Sequence, residues 1–141
     1  DGRDTLGVFN PATKQFYLRD INAPGFPHRV VTPAVAPAGS VPVVGDWMGN
    51  GRDWPGLFDA AGSRFLLLND KGQLYAERAI NVPKGAIAFA GDFNGDGRDD
   101  VGVYNSVAKT ATLLVNEQSQ TISFPQASGV DSLEVLAADF D

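Results

Sequence analysis

Residues 92–100 have the sequence Asp92-Phe93-Asn94-Gly95-Asp96-Gly97-Arg98-Asp99-Asp100. Its first, third, fifth and ninth positions carry side-chain oxygens, and its seventh can offer a backbone carbonyl. Ca²⁺ takes about six to eight oxygen ligands and suits flexible, carboxylate-rich loops of this kind. Gly97 permits the sharp turn that would aim the ligands inward. The stretch therefore predicts a calcium site with these ligands: Asp92, Asn94, Asp96, the carbonyl of Arg98, and Asp100.

The residues after this loop indicate strands and not helices. A helix–loop–helix calcium site needs a glutamate at the twelfth loop position, where this chain has Val103. Val101 and Val103 alternate with Gly102 and Tyr104, and such alternation is typical of a β-strand. We therefore expect the loop to join two strands.

The loop belongs to a pattern that recurs along the chain. Gly-Arg-Asp occurs at residues 2–4, 51–53 and 97–99, which are 49 and 46 residues apart. A similar, largely apolar segment follows each copy. A second apolar segment, which ends in an aspartate and an aromatic residue, occurs at 43–47, 89–93 and 136–140. Repeats of about 40 to 50 residues with short strands are typical of propellers and related arrays. We divide the single domain 1–141 into repeats of about 1–40, 41–85 and 86–132, followed by a first strand of a further repeat at 133–141.

The Asp-x-Asn-x-Asp-Gly-x-x-Asp loop followed by Val-Gly-Val-Tyr resembles the FG-GAP or VCBS-type repeat of integrin α-subunit-like β-propellers. The resemblance covers essentially the whole chain. It implies an all-β fold of propeller blades, each a four-stranded antiparallel sheet in which the calcium loop joins the innermost strand to the second. Members of the family serve adhesion, glycan or protein recognition, or accessory roles on secreted enzymes, so the fold alone does not give the function.

The three repeats predict eleven strands with bounds that can be tested, and the start of the further repeat predicts one more at 133–138. The first repeat provides only second, third and fourth strands and lacks an inner one. The predicted strands are 6–9, 16–19 and 29–32 in the first repeat, 41–45, 55–58, 64–68 and 73–79 in the second, and 86–91, 100–104, 110–116 and 121–124 in the third.

Two further loops are incomplete. Asp1 and Arg3 occupy late positions of one loop, and Asp139 and Asp141 occupy early positions of another, so these residues are candidate ligands of split metal sites. Two interpretations stay open: the chain is a segment of a longer propeller, or residues 133–138 of one copy complete the 6–32 blade of another. Further blades of the same polypeptide or another copy of the chain are therefore expected partners.

The middle loop departs from the calcium pattern. Met48 stands at its third position and Trp54 at its ninth, where hard oxygen ligands are expected. We expect this loop to hold no ion. Trp54 breaks the motif and is a candidate for ligand contact, with packing over the loop as the alternative.

Composition excludes several functions. The net charge is −6 and there is no basic cluster, which argues against binding nucleic acid. No apolar run approaches the roughly 20 residues of a membrane-spanning helix. The chain has no cysteine and a single histidine, His28, so we expect no catalytic constellation and no enzyme activity.

These observations predict a calcium-stabilised module for adhesion or for recognition of protein or glycan ligands, located outside the cell or at its surface. A carbohydrate-binding lectin propeller is one alternative. A non-catalytic module of a secreted, polysaccharide-active enzyme is another.

Overall fold

A computed structural model describes residues 4–124, which form eleven β-strands and no helix. This part of the chain thus contains no helix that could cross a membrane. The predicted strand at 133–138 and the predicted partial ligands Asp1, Arg3, Asp139 and Asp141 lie outside the described residues. The strands are β1 Gly7–Asn10, β2 Gln15–Leu18, β3 Arg29–Val31, β4 Val41–Gly45, β5 Trp54–Asp59, β6 Arg64–Leu68, β7 Leu74–Ala79, β8 Ile87–Gly91, β9 Asp100–Asn105, β10 Thr110–Val115 and β11 Gln118–Ser123.

The strands form three antiparallel sheets in chain order. Sheet 1 is β1-β2-β3, sheet 2 is β4-β5-β6-β7, and sheet 3 is β8-β9-β10-β11. The predicted all-β fold is confirmed, with sheets of three, four and four strands in residues 4–124. Residues 4–124 show no closed barrel or ring of sheets, so a propeller stays a prediction.

Three turns form in the same way. They follow β1 in sheet 1, β5 in sheet 2 and β9 in sheet 3. An Asn or Asp side chain at the end of the strand accepts amide hydrogen bonds from the turn, as Asn10, Asp59 and Asn105 do at 2.9–3.2 Å. Such Asx turns compete with strand continuation and reverse the chain. A residue with positive φ then precedes each following strand: Lys14, Ser63 and Lys109.

The last strand begins earlier than its sequence predicts. β11 starts at Gln118 and not at residue 121. Asn116 and Glu117 have φ of 49° and 64°, the conformation of a tight two-residue hairpin turn. The segment Gln118-Ser119-Gln120 is polar and exposed. The pattern of apolar residues therefore does not mark it as part of a strand.

Sheet 2 packs between the other two sheets. Alternate residues of its strands point to opposite faces, so Leu57 and Leu66 pack with Phe16 and Val31 of sheet 1. Phe58, Phe65 and Leu67 instead pack with Val101, Val103 and Leu114 of sheet 3. The run Phe65-Leu66-Leu67-Leu68 is apolar throughout because both faces of β6 are buried. The inner strands β4 and β8 of neighbouring sheets are also in contact.

Candidate metal-binding loop and the adjoining cleft

The acidic loop, residues 92–100, connects β8 to β9. Gly95 and Gly97 have φ of 75° and 83°, a left-handed conformation in which a side chain would be strained. These two glycines coil the loop so that its backbone amides point inward. The loop is therefore preorganised around the first acidic residue, Asp92.

Three side chains of the loop accept hydrogen bonds from its own backbone. Asp92 Oδ1 accepts from Gly95 N at 2.7 Å, and Oδ2 accepts from Gly97 N at 2.8 Å. These amides, that of Gly97 foremost, lower the pKa of Asp92. Asn94 Oδ1 accepts from Asp96 N at 2.8 Å, and Asp96 Oδ1 accepts from Arg98 N at 2.9 Å. The same contacts would stabilise the loop without an ion.

Asp100 differs from the other acids of the loop because one of its oxygens is buried without a partner. Its Oδ2 is buried and makes no hydrogen bond. Burial raises the pKa of Asp100, and the charges of Asp96 and Asp92 raise it further, against hydrogen bonds from the amides of Phe93 and Asn116. Two of the predicted ligands, Asp92 and Asp96, are thus close enough to Asp100 for their charges to repel its carboxylate. A bound cation would relieve this repulsion.

The residue types therefore fit calcium, although the side chains are not gathered around one point. Within residues 4–124, no group of three or more His, Asp or Glu side chains is placed to hold a metal ion. Both oxygens of Asp92 are engaged with loop amides. Asp92, Asn94, Asp96, Asp100 and the Arg98 carbonyl would have to converge further to bind an ion, and calcium binding stays a prediction.

The middle loop, residues 46–54, has the same backbone without the same side chains. Gly49 and Gly51 have φ of 65° and 75°, and Asp46 accepts hydrogen bonds from Asn50 N at 3.1 Å and Gly51 N at 2.6 Å. Its ninth position, which is Asp100 in the acidic loop, is Trp54.

Trp54 is a core residue in this structure. It is 9% exposed and packs in the cluster between sheets 2 and 3. Its indole Nε1 is buried without a hydrogen-bond partner, whereas Trp47 Nε1 donates to the Pro55 carbonyl at 3.3 Å. The packing alternative is therefore observed, and contact with a ligand stays a prediction.

A link between the two loops was missed by sequence reasoning. Asp99 N donates to the Asp46 carbonyl at 3.0 Å, and Asp99 Oδ2 accepts from Asp46 N at 2.8 Å. Asp99 therefore joins sheet 3 to the residue that follows the inner strand of sheet 2. The available signal was the recurrence of Gly-Arg-Asp, whose aspartates are Asp4, Asp53 and Asp99.

A cleft of about 290 Å³ lies beside the acidic loop, between sheets 2 and 3. Tyr75 at its margin is 45% exposed, and Arg78 reaches across from sheet 2 to Glu117 at 3.4 Å. Asp100 and Asn116 line the same space. The cleft thus combines one aromatic ring with several hydrogen-bonding groups.

His28 has a structural contact. Its Nδ1 accepts a hydrogen bond from Asp20 N at 2.9 Å, so this nitrogen is not available to donate to the Asp20 carboxylate 3.8 Å away. The imidazole therefore closes the loop between β2 and β3.

Comparisons of the chain with models of protein families, with characterised proteins and with solved structures find no significant match. The resemblance to FG-GAP and VCBS-type repeats therefore stays a prediction from the sequence.

Proposed function

We propose that the chain is a calcium-stabilised β-propeller module that recognises protein or glycan ligands outside the cell or at its surface. Three consecutive antiparallel sheets with the same strand order, stacked face to face, support the propeller. Propellers repeat four-stranded sheets of this kind around an axis, and contact between the inner strands β4 and β8 fits such an arrangement.

The observation that carries the metal proposal is the unpaired Oδ2 of Asp100. A carboxylate oxygen that is buried without a partner destabilises the fold, and the charges of Asp96 and Asp92 add to this cost. Bound calcium would supply positive charge to all three. The ion would then hold the junction of β8 and β9 in place, because binding to the folded state alone stabilises that state.

The cleft beside the loop supports recognition. Ligand sites combine apolar or aromatic surface with a few placed polar groups, and Tyr75, Arg78 and Asn116 provide both. An exposed tyrosine ring beside hydrogen-bonding groups also favours the lectin alternative. A second alternative is a non-catalytic module of a polysaccharide-active enzyme. No specific contact within residues 4–124 favours this alternative.

Calcium dependence and ligand class can be tested separately. Thermal unfolding with calcium, with magnesium and with EDTA should show a selective increase in Tm with calcium; equal Tm values would contradict the metal proposal. A glycan array with the parent and Tyr75→Ala tests the lectin alternative. Sugar binding that is lost in Tyr75→Ala would support it, whereas an array without signal would favour a protein ligand.

A further inference from the structure

A β-bulge in sheet 2 brings Tyr75 to the cleft beside the acidic loop. Two successive residues of β6 pair with Ala76 and Leu74 of β7, so Tyr75 between them is an extra residue in this register. In a regular strand Tyr75 would face away from Arg78, because residues three apart point to opposite faces. Instead both residues line the cleft. Bulges often re-aim a side chain next to a functional site.

The cleft combines buried apolar residues with an excess of acidic ones. Three buried apolar residues of sheets 2 and 3 line it: Leu67, Val101 and Leu114. Its charged lining residues are four acids and two arginines, Asp96, Asp99, Asp100, Glu117, Arg78 and Arg98. The lining therefore has a formal net charge of −2.

The three aspartates of the cleft have no cationic partner in the described part of the chain. Within residues 4–124, the ion pairs include none of them. Asp96 and Asp99 accept hydrogen bonds from uncharged amide groups, and Asp100 Oδ2 is buried without a donor. The surplus negative charge of the cleft is thus not neutralised by these residues, and a cationic ligand would complement it.

We propose that the cleft binds an amino sugar, with the pyranose ring against Tyr75 and its ammonium group beside the unpaired carboxylates. The cleft volume of about 290 Å³ lies just below the roughly 300–1,000 Å³ of pockets for drug-sized ligands, which suits one sugar residue of a chain. This inference rests on the recognition role in the proposed function. It narrows the glycan alternative to sugars that carry a free ammonium group.

Two features of the cleft select this class of sugar. The partly exposed ring of Tyr75 offers a negative face to the C–H groups of a pyranose and to an ammonium group. Asn116, which also lines the cleft, has both a donor and an acceptor for hydroxyl groups. The net negative charge opposes uronic acids, sialic acids and sulfated sugars and favours a cation.

The charge of the ligand can be tested with two matched trisaccharides. The glucosamine trisaccharide is the probe, and the N-acetylglucosamine trisaccharide is its neutral counterpart. NMR titration of the full chain in EDTA, at about pH 6 where an amine carries its proton, makes the result independent of calcium. The glucosamine trisaccharide should bind at least about tenfold more tightly and should shift the ring signals of Tyr75. Tyr75→Ala should weaken both trisaccharides.

Equal affinities for the two trisaccharides, tighter binding of the neutral one, or no binding of either would overturn the proposal. Glycan binding that is lost in Tyr75→Ala would still support the recognition role in those cases, so the two failures can be told apart. Trilysine with blocked ends carries ammonium groups without a pyranose ring. Tighter binding of trilysine than of the glucosamine trisaccharide would overturn the assignment to a sugar.

Two matched variants separate the charge of the cleft from that of the whole chain, which is −6. Glu117→Gln removes a charge from the cleft and the 3.4 Å ion pair with Arg78, and should weaken the glucosamine trisaccharide about two- to fivefold. Glu77→Gln removes the same charge from the opposite face of β7 and should leave the affinity unchanged. Equal weakening by both variants would indicate only a general attraction to an acidic chain and would overturn the proposal.

Discussion

Asp100→Asn should stabilise the chain without calcium and destabilise it with calcium. In EDTA the substitution removes a charge whose Oδ2 is buried and unpaired and which lies near Asp96 and Asp92. The amide that replaces it still leaves a polar atom unpaired there, so only the part due to the negative charge is relieved, out of about 1–3 kcal/mol for an unpaired buried group. Because Asp100 is partly exposed and therefore screened, we expect the free energy of unfolding to rise by about 1 kcal/mol.

Calcium should reverse this order. A loop with a Kd of about 10⁻⁴–10⁻³ M, which is usual for extracellular sites, gains about 1.4–2.7 kcal/mol at roughly 10 mM calcium. Asp100→Asn lacks a charged ligand and should gain less than about 0.5 kcal/mol. The parent should therefore be the more stable protein with calcium and the less stable one without it.

Urea unfolding of both proteins in EDTA and in calcium measures all four free energies, with Asp70→Asn as an exposed control. The reasoning would be refuted if Asp100→Asn were less stable than the parent in EDTA, because the unpaired oxygen would then not be a destabilising feature. An equal gain from calcium in the two proteins would show that Asp100 is not a ligand.

Three further substitutions test other parts of the structure. Asp96→Ala removes a predicted charged ligand and should abolish most of the increase in Tm with calcium; an unchanged increase would place the ion elsewhere. Trp47→Phe should cost roughly 1–2 kcal/mol more than Trp54→Phe, because only the Trp47 indole donates a hydrogen bond; equal losses in urea unfolding would contradict the assigned contacts. The pKa of Asp59 is lowered first by the Gly62 amide and then by Arg64, so its stabilisation is complete above about pH 4 and is lost as the pH falls through the folded pKa. Asp59→Asn should therefore lower the free energy of unfolding by about 2 kcal/mol at neutral pH and flatten its decrease in acid, whereas parallel pH profiles would disprove this role.

The strands and turns could be predicted because their determinants are local. Asn10, Asp59 and Asn105 mark the turns by their own side-chain hydrogen bonds, and apolar residues mark the strands between them. β11 is the exception, since its start depends on the positive φ of Asn116 and Glu117, and this pair lacks the glycine that usually follows Asn in such turns.

The contacts between sheets could not be predicted in the same way. Loop position nine is an acid in one repeat and Trp54 in another, and only the packing of sheet 3 against sheet 2 shows that this tryptophan is buried. The Asp99–Asp46 link likewise depends on two loops 53 residues apart in sequence. The sequence pattern identified candidate ligands, but not the unpaired oxygen of Asp100.

A crystal structure of the chain grown in saturating calcium tests the central claim most directly. The account predicts an ion in the acidic loop, coordinated by Asp92, Asn94, Asp96, Asp100 and the Arg98 carbonyl at about 2.3–2.6 Å. Asp100 Oδ2, which has no hydrogen-bond partner here, would then be a ligand. A loop without an ion under these conditions, with Asp92 still bound to the amides of Gly95 and Gly97, would contradict the account.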